Sequence, residues 1–194
     1  MLYRLGKILS VFFFRLFFRL EVKGKDKIPR KEAFILASNH ISHLDPVVLG
    51  AASPRRIYFL GKEELFKNKL FGYILKNLGV IPLNRYKGDI GAMRIALKLF
   101  KEKKALLIFP QGSRGNISVD KVKSGVGFLF RKASVPIVVA KIFGTEKALP
   151  KGKKLLRFVK VKVIFDRLNN FRDTDSYKII SCKVLDKIKH LVYH

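Results

Sequence analysis

Two side chains with complementary acid–base character stand five positions apart in Ser38-Asn39-His40-Ile41-Ser42-His43-Leu44-Asp45-Pro46, directly after the apolar run 33–37. An imidazole that takes a proton from a hydroxyl becomes a cation, and a carboxylate on its far ring nitrogen fixes the tautomer and stabilises that cation. The pair suits acyl transfer to an alcohol. The competing reading is structural, since a histidine and an aspartate in a polar turn also serve as capping groups. His43 offers a second imidazole, but two residues from Asp45 it is less well placed to share a face with the carboxylate. His40 is therefore the expected base and Asp45 its orienting acid.

A second cluster, Phe109-Pro110-Gln111-Gly112-Ser113-Arg114-Gly115, reads as a strand end followed by a glycine turn. Gly112 lets the backbone come close to a ligand, Ser113 supplies a donor, and the planar guanidinium of Arg114 matches two phosphate oxygens. Phosphate binding is the functional reading, and an ordinary turn with an exposed arginine is the alternative.

These residues need a scaffold, and apolar runs alternating with helix-like stretches supply one. Buried strands are expected at 33–37, 57–60, 80–83, 105–109, 137–142 and 158–165, with helices at 46–51, 63–78, 90–103, 124–133 and from Ser176 onward. The pattern predicts a single α/β domain over 23–194, a largely parallel central sheet flanked by helices. In open sheets of this kind ligands bind beyond the carboxyl ends of the strands. Asn39-His40, Asn84-Arg85 and 111–114 each follow a predicted strand, so three loops converge on one substrate.

At 194 residues and 48% hydrophobic content, the chain has enough apolar material for one core without disulfides. Cys182 is the one cysteine, and no Cys/His spacing suggests a metal site. Neither a metal nor a resident cofactor is expected. The 41 Lys and Arg against 14 Asp and Glu give a formal charge of +27, which calls for a polyanionic partner. Charge alone does not separate nucleic acid from an anionic membrane surface. The dense phenylalanine cluster near the N-terminus favours lipid, and no RNA-binding signature, zinc-finger spacing or basic zipper supports nucleic acid.

That cluster lies within residues 1–22, an expected amphipathic helix at the membrane interface. Its uncharged core, 8–14, is too short for the roughly 20 apolar residues of a spanning helix. Arg15 interrupts the core and no small-residue cleavage pattern follows, so removal as a signal peptide is not expected. At about 100° per residue, Arg4, Lys7, Arg15 and Arg19 share one arc, with Leu5, Leu9, Phe13, Leu16, Phe17 and Leu20 opposite. Ile8, Val11 and Phe18 fall in the basic arc. Basic side chains among lipid phosphates and aromatics in the acyl boundary describe an in-plane helix. A helix packed on the core is the alternative.

The chain resembles the 1-acylglycerol-3-phosphate acyltransferases, also called lysophosphatidate acyltransferases, within the glycerophospholipid acyltransferases. The resemblance rests on four blocks in order: Asn39 to Asp45, Gly79-Val80-Ile81-Pro82-Leu83-Asn84-Arg85, Phe109 to Arg114, and Val135-Pro136-Ile137-Val138. Gly61-Lys62-Glu63-Glu64-Leu65-Phe66 and the stretch from Gly144 to Pro150 are also similar to the family. The resemblance implies transfer of a fatty acyl group from acyl-CoA or acyl-acyl carrier protein to lysophosphatidate, giving phosphatidic acid. It implies His40 as general base, Asp45 as its partner, and direct attack without an acyl-enzyme at Ser113 or Cys182. Arg114, Ser113 and Gly112 would hold the acceptor phosphate, with Lys62 and Arg85 as further candidates, and a backbone amide of the Gly112 turn would serve the oxyanion. It also implies association with anionic lipid at the cytoplasmic face of the cell membrane. Gln111 departs from the family, which usually carries glutamate there. Other lysophospholipids or glycerol 3-phosphate remain alternative acceptors, and a non-catalytic basic membrane binder is the rival from another class.

Overall fold

Five consecutive fully buried residues, Phe34–Ser38, form β2 at the centre of the sheet. A strand covered on both faces cannot alternate polar and apolar residues, which is why this segment reads as one continuous apolar run. The computed structural model describes residues 2–83, 88–112, 122–150, 152–153 and 155–193. Its elements are α1 (Leu2–Phe18), β1 (Glu21–Lys23), β2, α2 (Asp45–Ala52), β3 (Ile57–Lys62), α3 (Lys69–Asn77), β4 (Val80–Leu83), α4 (Gly88–Lys101), β5 (Ala105–Ile108), α5 (Gly125–Ala133), β6 (Ile137–Phe143), α6 (Thr145–Ala148), β7 (Lys162–Leu168) and α7 (Tyr177–His190), with short 3₁₀ turns at Lys25–Lys27 and Glu63–Phe66.

Among the described residues the sheet has seven strands in the order β1-β7-β6-β2-β5-β3-β4. Every pairing is parallel except β6 with β7. The predicted α/β architecture is thus the observed one. Two apolar layers enclose the sheet: Phe14, Phe18, Val48 and Leu49 of α1 and α2 meet Phe34, Leu36 and Phe165 on one face. On the other, Ala96, Leu129, Val184 and Ile188 of α4, α5 and α7 meet Ile35, Leu106 and Ile137. The carboxyl ends of β2, β3, β4, β5 and β6 share one edge, because these five strands run parallel.

Three expectations change. The apolar run at 158–161 is not strand: Phe158 is exposed and its ring lies against Phe17 and Phe18, at centroid distances of 5.1 and 5.6 Å. The backbone there is held by the end of α1 instead, with Val161 N–H donating to the Phe18 carbonyl at 2.9 Å. The helix expected at 63–78 is split, because Asn68 breaks the run and caps α3 by accepting from Phe71 N–H at 3.0 Å. Glu21–Lys23 forms an edge strand paired with β7, which its length and charge hide from any periodicity argument.

α1 carries three arcs rather than two. Phe14 and Phe18 are 2% and 0% exposed and fill the core against α2, while Lys7 reaches the Ser53 carbonyl at 2.6 Å. Leu5, Ile8, Leu9, Phe12 and Leu16 point outward, with Arg4 and Arg15 beside them. Among the described residues no helix is long and apolar enough to cross a membrane.

Candidate active site

The site forms where β2 ends. Asn39 anchors the turn to the neighbouring strand through a two-way bond: its Nδ2 donates to the Ile142 carbonyl at 2.9 Å, and Ile142 N–H donates to its Oδ1 at 2.8 Å. The chain then turns back into α2, where Pro46 follows Asp45 inside the first turn. This geometry returns the Asp45 carboxylate to the loop that precedes it.

Asp45 is fully buried, and donors meet both oxygens of its carboxylate. Oδ2 accepts from Ile41 N–H at 2.7 Å, from Ser42 N–H at 2.8 Å and from His40 Nδ1–H at 2.9 Å. Oδ1 accepts from Thr145 Oγ1 at 2.7 Å. A buried carboxylate is tolerated only when its lone pairs are met in this way. The same bonds decide the imidazole: with Nδ1–H committed to Asp45, Nε2 carries the lone pair.

His40 is oriented by two more contacts. Its ring stacks on Phe109, with centroids 3.9 Å apart and planes inclined by 13°. Its backbone N–H donates to Gln111 Oε1 at 2.9 Å. The His40 side chain remains 18% exposed, enough for a small hydroxyl to approach. Such an imidazole can accept a proton at Nε2 while the carboxylate opposes the charge that develops. His43 is exposed in the same loop, and the bonds of Asp45 go to His40.

The strand β5 ends at the turn 109–112, which Gly112 N–H closes by donating to the Phe109 carbonyl at 2.9 Å. Gly112 has φ +71°, a left-handed backbone that favours glycine. Lys123 runs alongside, its Cδ and Cε 3.5 Å from where a Cβ on Gly112 would sit. Lys62 is the exposed last residue of β3, which pairs with β5, so it lies along the same edge of the sheet. Arg85, Ser113 and Arg114 lie outside the described residues.

Four participants carry no catalytic signature in the sequence. Thr145, Asn39 and Phe109 support the pair, and Lys123 adds a cation beside the glycine turn. Thr145 is placed by Gly144, whose φ of +91° starts α6 and whose missing Cβ would stand 2.3 Å from the Lys160 carbonyl. The bond from Gln111 gives the departing position a visible task, because the amide oxygen accepts from His40 N–H as a carboxylate oxygen would. Among the described residues, no three His, Cys, Asp or Glu side chains come together.

Residues 19–142 match the family described as Acyltransferase. The chain belongs to this acyltransferase family. It is an enzyme, and its relatives lie among the 1-acyl-sn-glycerol-3-phosphate acyltransferases. The protein of that name from Bacillus subtilis is 30% identical over 146 residues, 75% of this chain and 71% of the relative. That from Streptococcus pneumoniae is 33% identical over 58% of this chain, and there the match spans 43% of the longer relative. The crystal structure of a 1-acyl-sn-glycerophosphate acyltransferase, PlsC, from Thermotoga maritima shares the fold, with a TM-score of 0.75 over 97% of this chain and 75% of that one, at 23% identity.

Proposed function

We propose that this acyltransferase moves a fatty acyl group from an acyl thioester, acyl-CoA or acyl-acyl carrier protein, to the free hydroxyl of 1-acylglycerol 3-phosphate, giving phosphatidic acid. The names of its relatives support this acceptor. The observation that carries the chemistry is the His40–Asp45 pair, joined at 2.9 Å with the carboxylate buried and fully met by donors.

His40 Nε2 takes the hydroxyl proton as the acceptor oxygen bonds to the thioester carbonyl carbon. Asp45 stabilises the imidazolium formed in that step. Collapse of the tetrahedral intermediate breaks the carbon–sulfur bond, and the imidazolium returns its proton to the departing thiolate. Atoms and charge balance without an acyl-enzyme. A backbone amide of the Gly112 turn is the proposed donor to the oxyanion. Gly112, Ser113 and Arg114 hold the acceptor phosphate in this reading, with Lys62 and Arg85 as further cations.

The acceptor resides in a bilayer, and the outward apolar arc of α1 together with the +27 charge supports docking on anionic lipid at the cytoplasmic face. The test is acyl transfer by purified protein from an acyl thioester to lysophosphatidate in detergent or liposomes, beside His40→Ala. Product from the parent and none from the variant is the expected result. Equal product from both removes His40 as the base. Product from glycerol 3-phosphate or another lysophospholipid alone changes the acceptor and keeps the chemistry.

A further inference from the structure

At the far end of α2 from Asp45, the α1 side chains Lys7, Val11 and Arg15 face Lys25 and the segment 51–54 across a cavity of about 260 Å³. The eight residues of α2 rise about 12 Å, so this cavity is a separate place from the His40 loop. Its charged side chains are all basic, Lys7, Arg15 and Lys25, Ser53 is the neutral polar one, and the rest of the lining, Leu20 and Val22 among it, is apolar. Lys7 is held below the usual lysine range, first by burial and then by the charge of Lys25. One of its three N–H donors is taken by the Ser53 carbonyl at 2.6 Å. Two like charges crowded beside an apolar wall are relieved by an anion.

The cavity adjoins a shallow, open groove of about 540 Å³ on the outer surface of α1, and the two share Lys7, Val11 and Arg15. Beyond those residues the groove is lined by Ile8, Phe12 and Leu16, which are 65%, 65% and 58% exposed. A cationic chamber that opens onto an apolar track matches an amphiphile whose anionic head is followed by an acyl chain. A volume of about 260 Å³ is many times the roughly 10–15 Å³ that a single water needs, which leaves room for a phosphate headgroup.

We propose that this cleft binds one anionic phospholipid of the bilayer as a non-reacting ligand, its headgroup phosphate among Lys7, Arg15 and Lys25 and its chain along Ile8, Phe12 and Leu16. The proposal rests on the reading that α1 meets the membrane. It goes beyond that reading in specifying a discrete site with one lipid in place of a diffuse field. A lipid so held ties α1 to the end of α2 and to the 3₁₀ turn at Lys25–Lys27, so the helix that enters the bilayer is fixed to the domain that carries the catalytic pair.

The experiment is native mass spectrometry of the full chain in neutral detergent micelles, titrated with dioleoyl phosphatidylglycerol or dioleoyl phosphatidylcholine. Arg15→Gln/Lys25→Gln removes two exposed cations of the cleft, and Lys98→Gln/Lys101→Gln removes two exposed cations from α4 on the opposite face of the sheet. The parent and the α4 variant take up one phosphatidylglycerol at saturation, and the cleft variant binds it at least about tenfold more weakly. Equal weakening in both variants, or no one-lipid species in the parent, overturns the site. Sedimentation with vesicles of phosphatidylcholine, with and without phosphatidylglycerol as about a quarter of the lipid, is run in parallel. A parent that sediments with the mixed vesicles but holds no single lipid in micelles refutes the site and leaves the membrane reading standing. A parent that holds the lipid but does not sediment refutes the membrane reading and, with it, the proposal that the ligand is a lipid of the bilayer.

Discussion

Replacing Asp45 with asparagine separates the charge of the carboxylate from its shape. The amide oxygen in place of Oδ2 still accepts from Ile41 N–H, Ser42 N–H and His40 Nδ1–H, and the new amide N–H₂ points at Thr145, whose hydroxyl can turn to accept. The loop and the tautomer therefore survive, and only the negative charge opposite the imidazolium is lost. With charge centres about 4 Å apart and an effective dielectric near 20, that charge contributes roughly 4 kcal/mol to the protonated ring. At about 1.4 kcal/mol per tenfold, kcat falls by about three orders of magnitude, with KM for lysophosphatidate close to that of the parent. The assay is steady-state transfer from an acyl thioester over a range of lysophosphatidate, with circular dichroism and thermal unfolding as controls on the fold. An Asp45→Asn enzyme within tenfold of the parent, folded and saturable, refutes the reasoning. It would mean that the carboxylate builds the loop and contributes nothing to proton transfer.

Thr145→Val keeps the shape of the side chain and leaves Asp45 Oδ1 without that donor, so thermal unfolding should show a loss of about 1.5–3 kcal/mol, and Thr145→Ser should recover most of it. Gln111→Glu preserves the acceptor for His40 N–H, and turnover should stay within about threefold of the parent; a gain beyond tenfold would show that the missing charge limits the enzyme. Gly112→Ala meets no hard contact, since the nearest atoms are 3.5 Å away on Lys123, yet the left-handed backbone should cost about 1–2 kcal/mol in denaturant unfolding. Phe18→Ala should destabilise by about 3–5 kcal/mol, whereas Phe12→Ala should leave stability within about 0.5 kcal/mol and weaken sedimentation with anionic vesicles.

The apolar runs of β2, β5 and β6 announced themselves because strands buried on both faces have no polar alternation to blur them. The loops that follow could be placed on one edge of the sheet because parallel strands with right-handed crossovers leave little topological choice. Of the candidate residues, the fold brings together His40, Asp45, Gln111 and Gly112. The residues that the sequence did not mark as catalytic, Thr145 above all, act across 100 positions of chain, where no local spacing relates donor to acceptor.

By itself the sequence determined the acid–base chemistry on offer, through the identity and separation of His40 and Asp45, and a strongly positive field, through a charge of +27. It also determined the layered architecture, because period and apolarity are local properties of the chain. Only the tertiary structure decided which imidazole meets the carboxylate and what satisfies that carboxylate's second oxygen. It likewise decided that the outer arc of α1 is apolar while Phe14 and Phe18 vanish into the core. Those outcomes depend on which surfaces pack against one another. Packing is a cooperative property of the whole sheet and its helices, and no single segment encodes it.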